Sequence, residues 1–470
     1  MTRAVVVGSG PNGLAAALTL ATEGVDVVVV EAAATPGGGT RSSELTVPGL
    51  IHDECSGFHP LAVDTAFSKA FDLAAYGLTW CRPQVQYAHP LDGGTGAASY
   101  QSVEVTARGL GGDGERWRSV FEPLASNFDK ITSDFLQPML RVPSHPVALL
   151  RFGVLSAMPA TLLARRWSSD EARALFGGVA AHAMHDLSSP MSSAIGVALA
   201  TAAHAYGWPV AQGGSAAIST AMVAALEGRG GKVLTGVTVR DLDELESPDL
   251  VMLDVAPRAA VEIVGERMPT RIRRALTRYQ HGPAVFKVDY AIDGDVPWQH
   301  EASRLAGTVH AIGGFREIVA AERQVSAGRL PERPFVLVGQ QYLADPARSS
   351  GGLNPLYAYA HVPAGFRGDA AVAIEAQIER FAPGFRDRIV ARHVRSTAQM
   401  QSYNPNYVGG DVVTGANTAR QIVFRPRFAL NPYAVGVPGV YLCSAATPPG
   451  AGAHGMCGYN AAKAALSTLS

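Results

Sequence analysis

Cysteine is scarce in this chain. Four occur in 470 residues (Cys55, Cys81, Cys443 and Cys457), with no C-x-x-C pair and no dense spacing. That excludes a disulfide framework and suits a reducing cytoplasm. Charge is thin as well: 17% of residues are charged and the formal net charge is −1. Such a balance gives no footprint for nucleic acid and no field for an anionic membrane. No run of about 18 uncharged apolar residues exists, so no spanning helix is expected. An apolar strand begins at Ala4, which leaves no room for a cleavable signal. What is abundant is hydrophobic residue (47%), with 50 glycines and 30 prolines scattered as turns rather than gathered as low complexity. The length exceeds one ordinary core, so two interleaved domains are expected.

The strongest local pattern is at the start. Residues 4–7 (AVVV) read as a short buried strand, followed by Gly8-Ser9-Gly10-Pro11-Asn12-Gly13, a full G-x-G-x-x-G. Residues 14–22 form an alanine- and leucine-rich helix, Gly24 ends it, and 25–30 is a second buried strand closed by Glu31. Gly8 permits the tight turn, Gly10 admits a pyrophosphate, and Gly13 lets helix pack on strand. The free N–H groups of the helix start face the phosphates. Glu31 stands 23 positions after Gly8, the distance at which an acid accepts hydrogen bonds from a ribose diol. Strand before, helix after and acid in place make this a dinucleotide fingerprint rather than a bare glycine turn.

A second glycine-rich loop, Pro36-Gly37-Gly38-Gly39-Thr40-Arg41-Ser42, follows at once. NAD does not need it. It resembles the loop of flavoproteins of the phytoene desaturase and amine oxidase superfamily, which passes beside the pyrophosphate and the flavin. Near the other end, residues 440–446 read as a strand ending in small residues. Thr447 to Met456 is a glycine-rich turn and 457–466 a helix. A helix pointing its N-terminus at the flavin pyrimidine stabilises the charge of the reduced ring. Between these, Gly213-Gly214-Ser215, a helix over 215–226 and strands over 232–235, 237–239 and 250–254 form a βαβ-like unit.

Together these segments resemble the FAD-dependent phytoene desaturase-like oxidoreductases over nearly the whole chain, most closely the phytoene dehydrogenase-related branch. The resemblance implies an α/β fold: a three-layer, discontinuous Rossmann-type FAD-binding domain from residues 1–56, 212–268 and 434–470. Inserted in it is an α+β substrate domain (57–211 and 269–433) with an antiparallel sheet and a helical cap. It implies FAD contacts at Gly8, Gly10, Pro11, Asn12, Gly13, Glu31, Gly38, Gly39, Thr40, Arg41, Ser42, Val237 (through its backbone to the adenine), Ala445, Gly452, His454, Gly455 and Met456. Ser444 stands where glycine is common, and no residue matches a family-wide catalytic base. Proton acceptors chosen on chemistry alone are His59, His310, Tyr359 and His361.

The expected reaction moves a hydride from an apolar small molecule to flavin N5, leaving a new C=C or C=N bond. Oxygen, a quinone or another acceptor then takes the electrons. Two alternatives stay open: a redox-neutral flavin isomerase, and a binding protein resembling Rab GDP-dissociation inhibitors. His182 and His185, three apart, read as a packed or pocket-lining pair on one helix face; no metal is expected. Residues 147–167 carry Arg151, Arg165 and Arg166 in an apolar stretch. A buried helix pair over the pocket is preferred there to a peripheral membrane patch, because no face is clearly polar. Residues 284–292 alternate as a half-buried strand, and Tyr357, Tyr359 and His361 share one face of another.

Overall fold

The computed structural model describes residues 2–469; Met1 and Ser470, the two outermost residues of the expected FAD-binding segments, lie outside the described residues. A five-stranded parallel sheet collects pieces from far apart in the chain. Its strands are β1 (Arg3–Val7), β2 (Asp26–Glu31), β3 (Lys232–Thr235), β4 (Leu250–Leu253) and β5 (Val440–Leu442), in the order β5-β4-β1-β2-β3. β1 pairs with β2 on one side and β4 on the other, all in parallel. Parallel sheets bury both faces, which is why β4 and residues 4–7 of β1 are unbroken apolar runs.

Helix α1 (Pro11–Thr22) covers one face together with α2 (Ala216–Glu227) and α3 (Met456–Leu466). Small residues let these helices approach closely: Ala15, Ala16 and Ala17 of α1 share a buried cluster with Ala461, Ala462 and Ala465 of α3. Proline opens α1, where its missing N–H costs nothing. The other face is covered by Pro257–Val264 and its neighbours.

The second sheet has seven strands, in the order 389–395, 284–293, 353–362, 336–339, 306–311, 85–90 and 96–99. Neighbours are antiparallel except 306–311 with 85–90, which run parallel. Residues 284–292, expected to be half-buried, are buried throughout, and only Asp293 at the end of the strand is exposed. Helices lie over one face and the first-sheet segments press on the other, so polar Lys287 and Asp289 are enclosed and pair with each other. Helices between 103 and 206 form a separate apolar cluster built on Trp117, Phe121, Trp167 and Phe176.

Two local expectations fail for physical reasons. Residues 237–239 form no strand: Gly236 turns at φ +73° and the Val237 N–H bonds to Glu31 O (2.9 Å), folding the chain over the end of β2. His182 and His185 do not share a helix face, because the helix ends at Ala180 and Met184 turns left-handed (φ 48°). The apolar stretch also differs from a buried pair. Pro146–Ala157 and Ala160–Arg166 meet at 100°, and Val147, Leu150, Val154 and Leu162 are 82, 67, 51 and 48% exposed. No single described helix is long and apolar enough to cross a membrane; this bent pair alone passes by length and composition.

Candidate dinucleotide site

A cavity of about 510 Å³ opens at the carboxyl ends of β1, β2, β4 and β5, where an open parallel sheet places its ligands. Gly8, Gly10, Pro11, Asn12, Glu31, Gly38, Gly39, Thr40, Arg41, Val237, Ala445 and Gly452 line it. Gly8 adopts φ +100°, and a Cβ there would stand 2.8 Å from the carbonyl oxygen of Asp254. Gly13, Ser42, His454, Gly455 and Met456 lie one layer behind. The Gly13 N–H donates to Asp254 Oδ2 (3.0 Å). Ser42 Oγ donates to Asp53 (2.8 Å) and accepts from the Ala216 N–H (3.0 Å). His454 Nδ1 accepts from the Met456 N–H (3.0 Å) at the start of α3, and Gly455 turns at φ +70° against Phe67.

Glu31 is buried and fully engaged. Oε2 accepts from the N–H and hydroxyl of Ser9 (2.9 and 2.6 Å); Oε1 accepts from the Ala33 N–H (2.9 Å) and Arg41 Nη2 (3.3 Å). Four donors occupy its four lone pairs. A ribose diol reaches it only by turning one of the two side-chain donors, Ser9 or Arg41, aside.

Residues 402–407 close the cavity from the substrate side. Tyr403 Oη donates to Gly38 O (2.8 Å), and its ring lies under Arg41 (5.4 Å) and Arg395 (4.5 Å). Asn406 bonds Asp254 O (3.1 Å) and the Ala256 N–H (2.7 Å). Nothing local in the sequence marks these residues as partners of the second glycine loop and of the end of β4, because the contacts span 365 positions for Tyr403 and 150 to 152 for Asn406. Asp254 is the other residue that sequence reasoning left unassigned. Burial first, then the charge of Glu31, raises its pKa to about 7.

Four buried polar atoms of residues lining the cavity have no hydrogen-bond partner among the described residues: Asn12 Oδ1, His281 Nδ1, Thr414 Oγ1 and Ser444 Oγ. Orphaned buried groups are rare and costly, so their convergence fits a polar ligand lying among them. A diphosphate and ribose suit the glycine loops, the helix start and Glu31; a flat ring suits the small residues Ser444 to Ala446 and Ala451 to Ala453.

The four proton-acceptor candidates lie outside this lining. His59 is buried against Trp80 and bonds Ser215 Oγ (2.9 Å); burial lowers its pKa to about 4. His310 sits deeper, 3.0 Å from His182 Nε2, and burial together with three neighbouring imidazoles pushes its pKa well down. His361 Nδ1 bonds Glu322 Oε1 (2.7 Å) and its ring stacks on Phe335. Tyr359 stacks on His361 at 5.8 Å, and burial raises its pKa. Among the described residues no cluster of His, Cys, Asp or Glu is arranged to hold a metal ion.

A family model described as an NAD(P)-binding Rossmann-like domain matches residues 6–72. The sequence is 23% identical to pyridine nucleotide-disulfide oxidoreductase domain-containing protein 2 of Mus musculus, over 98% of this chain and 92% of the relative. In three dimensions the chain is similar to an oxidoreductase from Methanosarcina mazei (TM-score 0.60, 15% identity, 99% of both chains). It is also similar to putrescine oxidase (TM-score 0.61, 18% identity, 100% of this chain and 99% of that one). These likenesses establish the fold: α/β, with a Rossmann-type parallel sheet and a second, largely antiparallel sheet.

Proposed function

We propose that this chain is an FAD-dependent oxidoreductase acting on an apolar small molecule. The observation that carries it is the cavity itself: two glycine loops, a helix start, a buried acid at the end of β2 and a small-residue turn before α3 converge on one space. Segments 1–56, 212–268 and 434–470 form the cofactor half and the remainder the substrate half. FAD, when bound, supplies a two-electron acceptor that takes a hydride from carbon. The chain's own work is to bind, orient and exclude water. Gly8, Gly10 and Gly13 keep side chains off the diphosphate path, Glu31 takes the ribose, and Tyr403, Asn406 and Tyr407 shut the cavity on the substrate side.

The one histidine in the lining, His281, faces Asp411 at 3.4 Å. Of the four candidates we favour His361, because Glu322 holds its Nδ1 at 2.7 Å and its Nε2 has no hydrogen-bond partner among the described residues. The product is a new C=C or C=N bond. The phytoene-desaturase branch is supported by sequence motifs alone, while putrescine oxidase shares the fold, so both product classes belong in the test. Purified protein should be yellow; its anaerobic spectrum, challenged in turn with polyenes, amines and cyclic imines, should bleach with one class. Protein that is colourless and refuses added FAD ends the proposal.

We also infer peripheral membrane contact at the bent helix pair. Val147, Leu150, Val154 and Leu162 are exposed beside Arg151, Arg165 and Arg166, and no acidic residue occurs from 135 to 169. Leu150→Glu should lower co-sedimentation with phosphatidylserine-containing vesicles by severalfold; equal sedimentation of both proteins refutes the contact.

A further inference from the structure

The inference rests on the FAD reading and concerns Asp254. We propose that Asp254 is a diphosphate-contacting residue that works in its protonated form, so that seating the cofactor draws one proton from solvent onto its carboxyl group.

The geometry places a carboxylate where the phosphates must come. Asp254 Oδ2 accepts from the Gly13 N–H at 3.0 Å, in the first turn of α1. A Cβ on Gly10 would lie 2.5 Å from the same oxygen, so the carboxyl group stands directly against the glycine whose bareness admits the phosphates. It cannot retreat easily. Its own N–H bonds Val7 O (2.8 Å) and its carbonyl accepts from Asn406 Nδ2 (3.1 Å), which fixes the main chain on both sides.

Among the described residues no cation faces it. From β2, Glu31 faces it as a second acid. From the end of β5 and from α3 come Cys443 and Cys457, whose thiols burial keeps neutral. Arg41, the one arginine in the lining, is committed to Glu31, and His281 faces Asp411. A buried carboxylate without a partner cation takes a proton rather than remain charged. Burial and the charge of Glu31 raise its pKa to about 7. A diphosphate brings further negative charge to the same helix start and raises it again. Protonated, the group changes from acceptor only to donor and acceptor, and an O–H becomes available to a phosphate oxygen. The only covalent change is that O–H bond.

The test is calorimetric titration of FAD into the full chain stripped of flavin, between about pH 6 and 9, in two buffers of different ionisation enthalpy. The dissociation constant should rise with pH, approaching about tenfold per unit above pH 7. The heat should differ between buffers by nearly one proton's ionisation. Asp254→Asn should bind with no pH slope and no proton uptake. Wild-type affinity that is flat with pH, heats independent of buffer, or an Asn variant that keeps the slope would each overturn the inference. If the variant does not fold, the wild-type proton count decides alone. Wild-type protein that takes up no FAD at any pH ends the FAD reading as well, whereas tight binding without proton uptake ends only this inference.

Discussion

Gly8→Ala and Gly24→Ala form a matched pair, one at each end of α1. Both glycines have positive φ, +100° and +79°. A left-handed or stretched-positive backbone costs an L-residue on the order of 1–3 kcal/mol. Gly24 has nothing within 4 Å of the added Cβ, so the backbone term is the whole effect and about 1 kcal/mol is expected. At Gly8 the Cβ would lie 2.8 Å from Asp254 O and 3.2 Å from Asp254 Cβ, where ordinary contact begins at 3.4 Å. Those atoms belong to the strand end paired with β1, so relief requires β1 and β4 to part. Overpacking of this kind adds roughly 1–3 kcal/mol, giving with the backbone cost a total of about 2–6 kcal/mol. The two replacements should therefore separate twice. In denaturant, Gly8→Ala should melt well before Gly24→Ala. After gel filtration it should have lost most of its 450 nm absorbance while Gly24→Ala keeps its own. Equal stability and equal flavin content in the two proteins would refute the reasoning.

Other expectations follow from groups off the cavity. Removing Arg348 strands two buried carboxylates, Asp53 (2.5 Å) and Asp345 (3.1 Å), so Arg348→Ala should cost about 3–5 kcal/mol in denaturant unfolding. His59, His89, His204 and His454 each have a pKa lowered by burial to about 4, against 6.5 when unfolded. The unfolded chain then binds protons first, so stability present above pH 6.5 should fall steadily towards pH 4, by an amount that calorimetry reads as several protons taken up on unfolding. Gly10→Val should fold but emerge without colour, since its side chain drives into Asp254 Oδ2; full flavin retention in that variant removes the first loop from the site. Treatment with a chelator should leave both colour and turnover unchanged, as measured against an untreated control.

Much of the parallel sheet and of the cavity at its end was legible because its signals are local. An apolar run, six residues of glycine turn, a helix and an acid lie within the first 31 positions. The same holds for the turn before α3. What escaped depends on contacts made across the chain. Residues 237–239 look like a strand, yet the sheet edge is already taken by β3 and the chain bends over Glu31 instead. Asp254 reads as a strand-end acid until Gly10 and Gly13 are set against it. Tyr403 and Asn406 sit in a polar turn with no periodicity to mark them. Full enclosure of residues 284–292 comes from layers on both sides, and alternation along a strand cannot report a second cover. The exposed face of Pro146–Ala157 was hidden for the opposite reason, since an apolar helix looks the same whether its neighbours are present or absent.

The order in which β5 joins the sheet has a consequence for how the molecule comes into being. Val251 pairs with Val440, so the edge of the cofactor half waits on a partner 189 positions downstream. During synthesis the first two strands and α1 emerge early, but the alanine surface of α1 has its mate in α3 and stays bare until almost the last residue is made. Long-range pairing of this kind closes slowly and leaves apolar surface open in the meantime. Every strand of the seven-stranded sheet, from residues 85–90 to 389–395, is therefore made before β5 and α3 arrive to complete the parallel sheet and its helical cover.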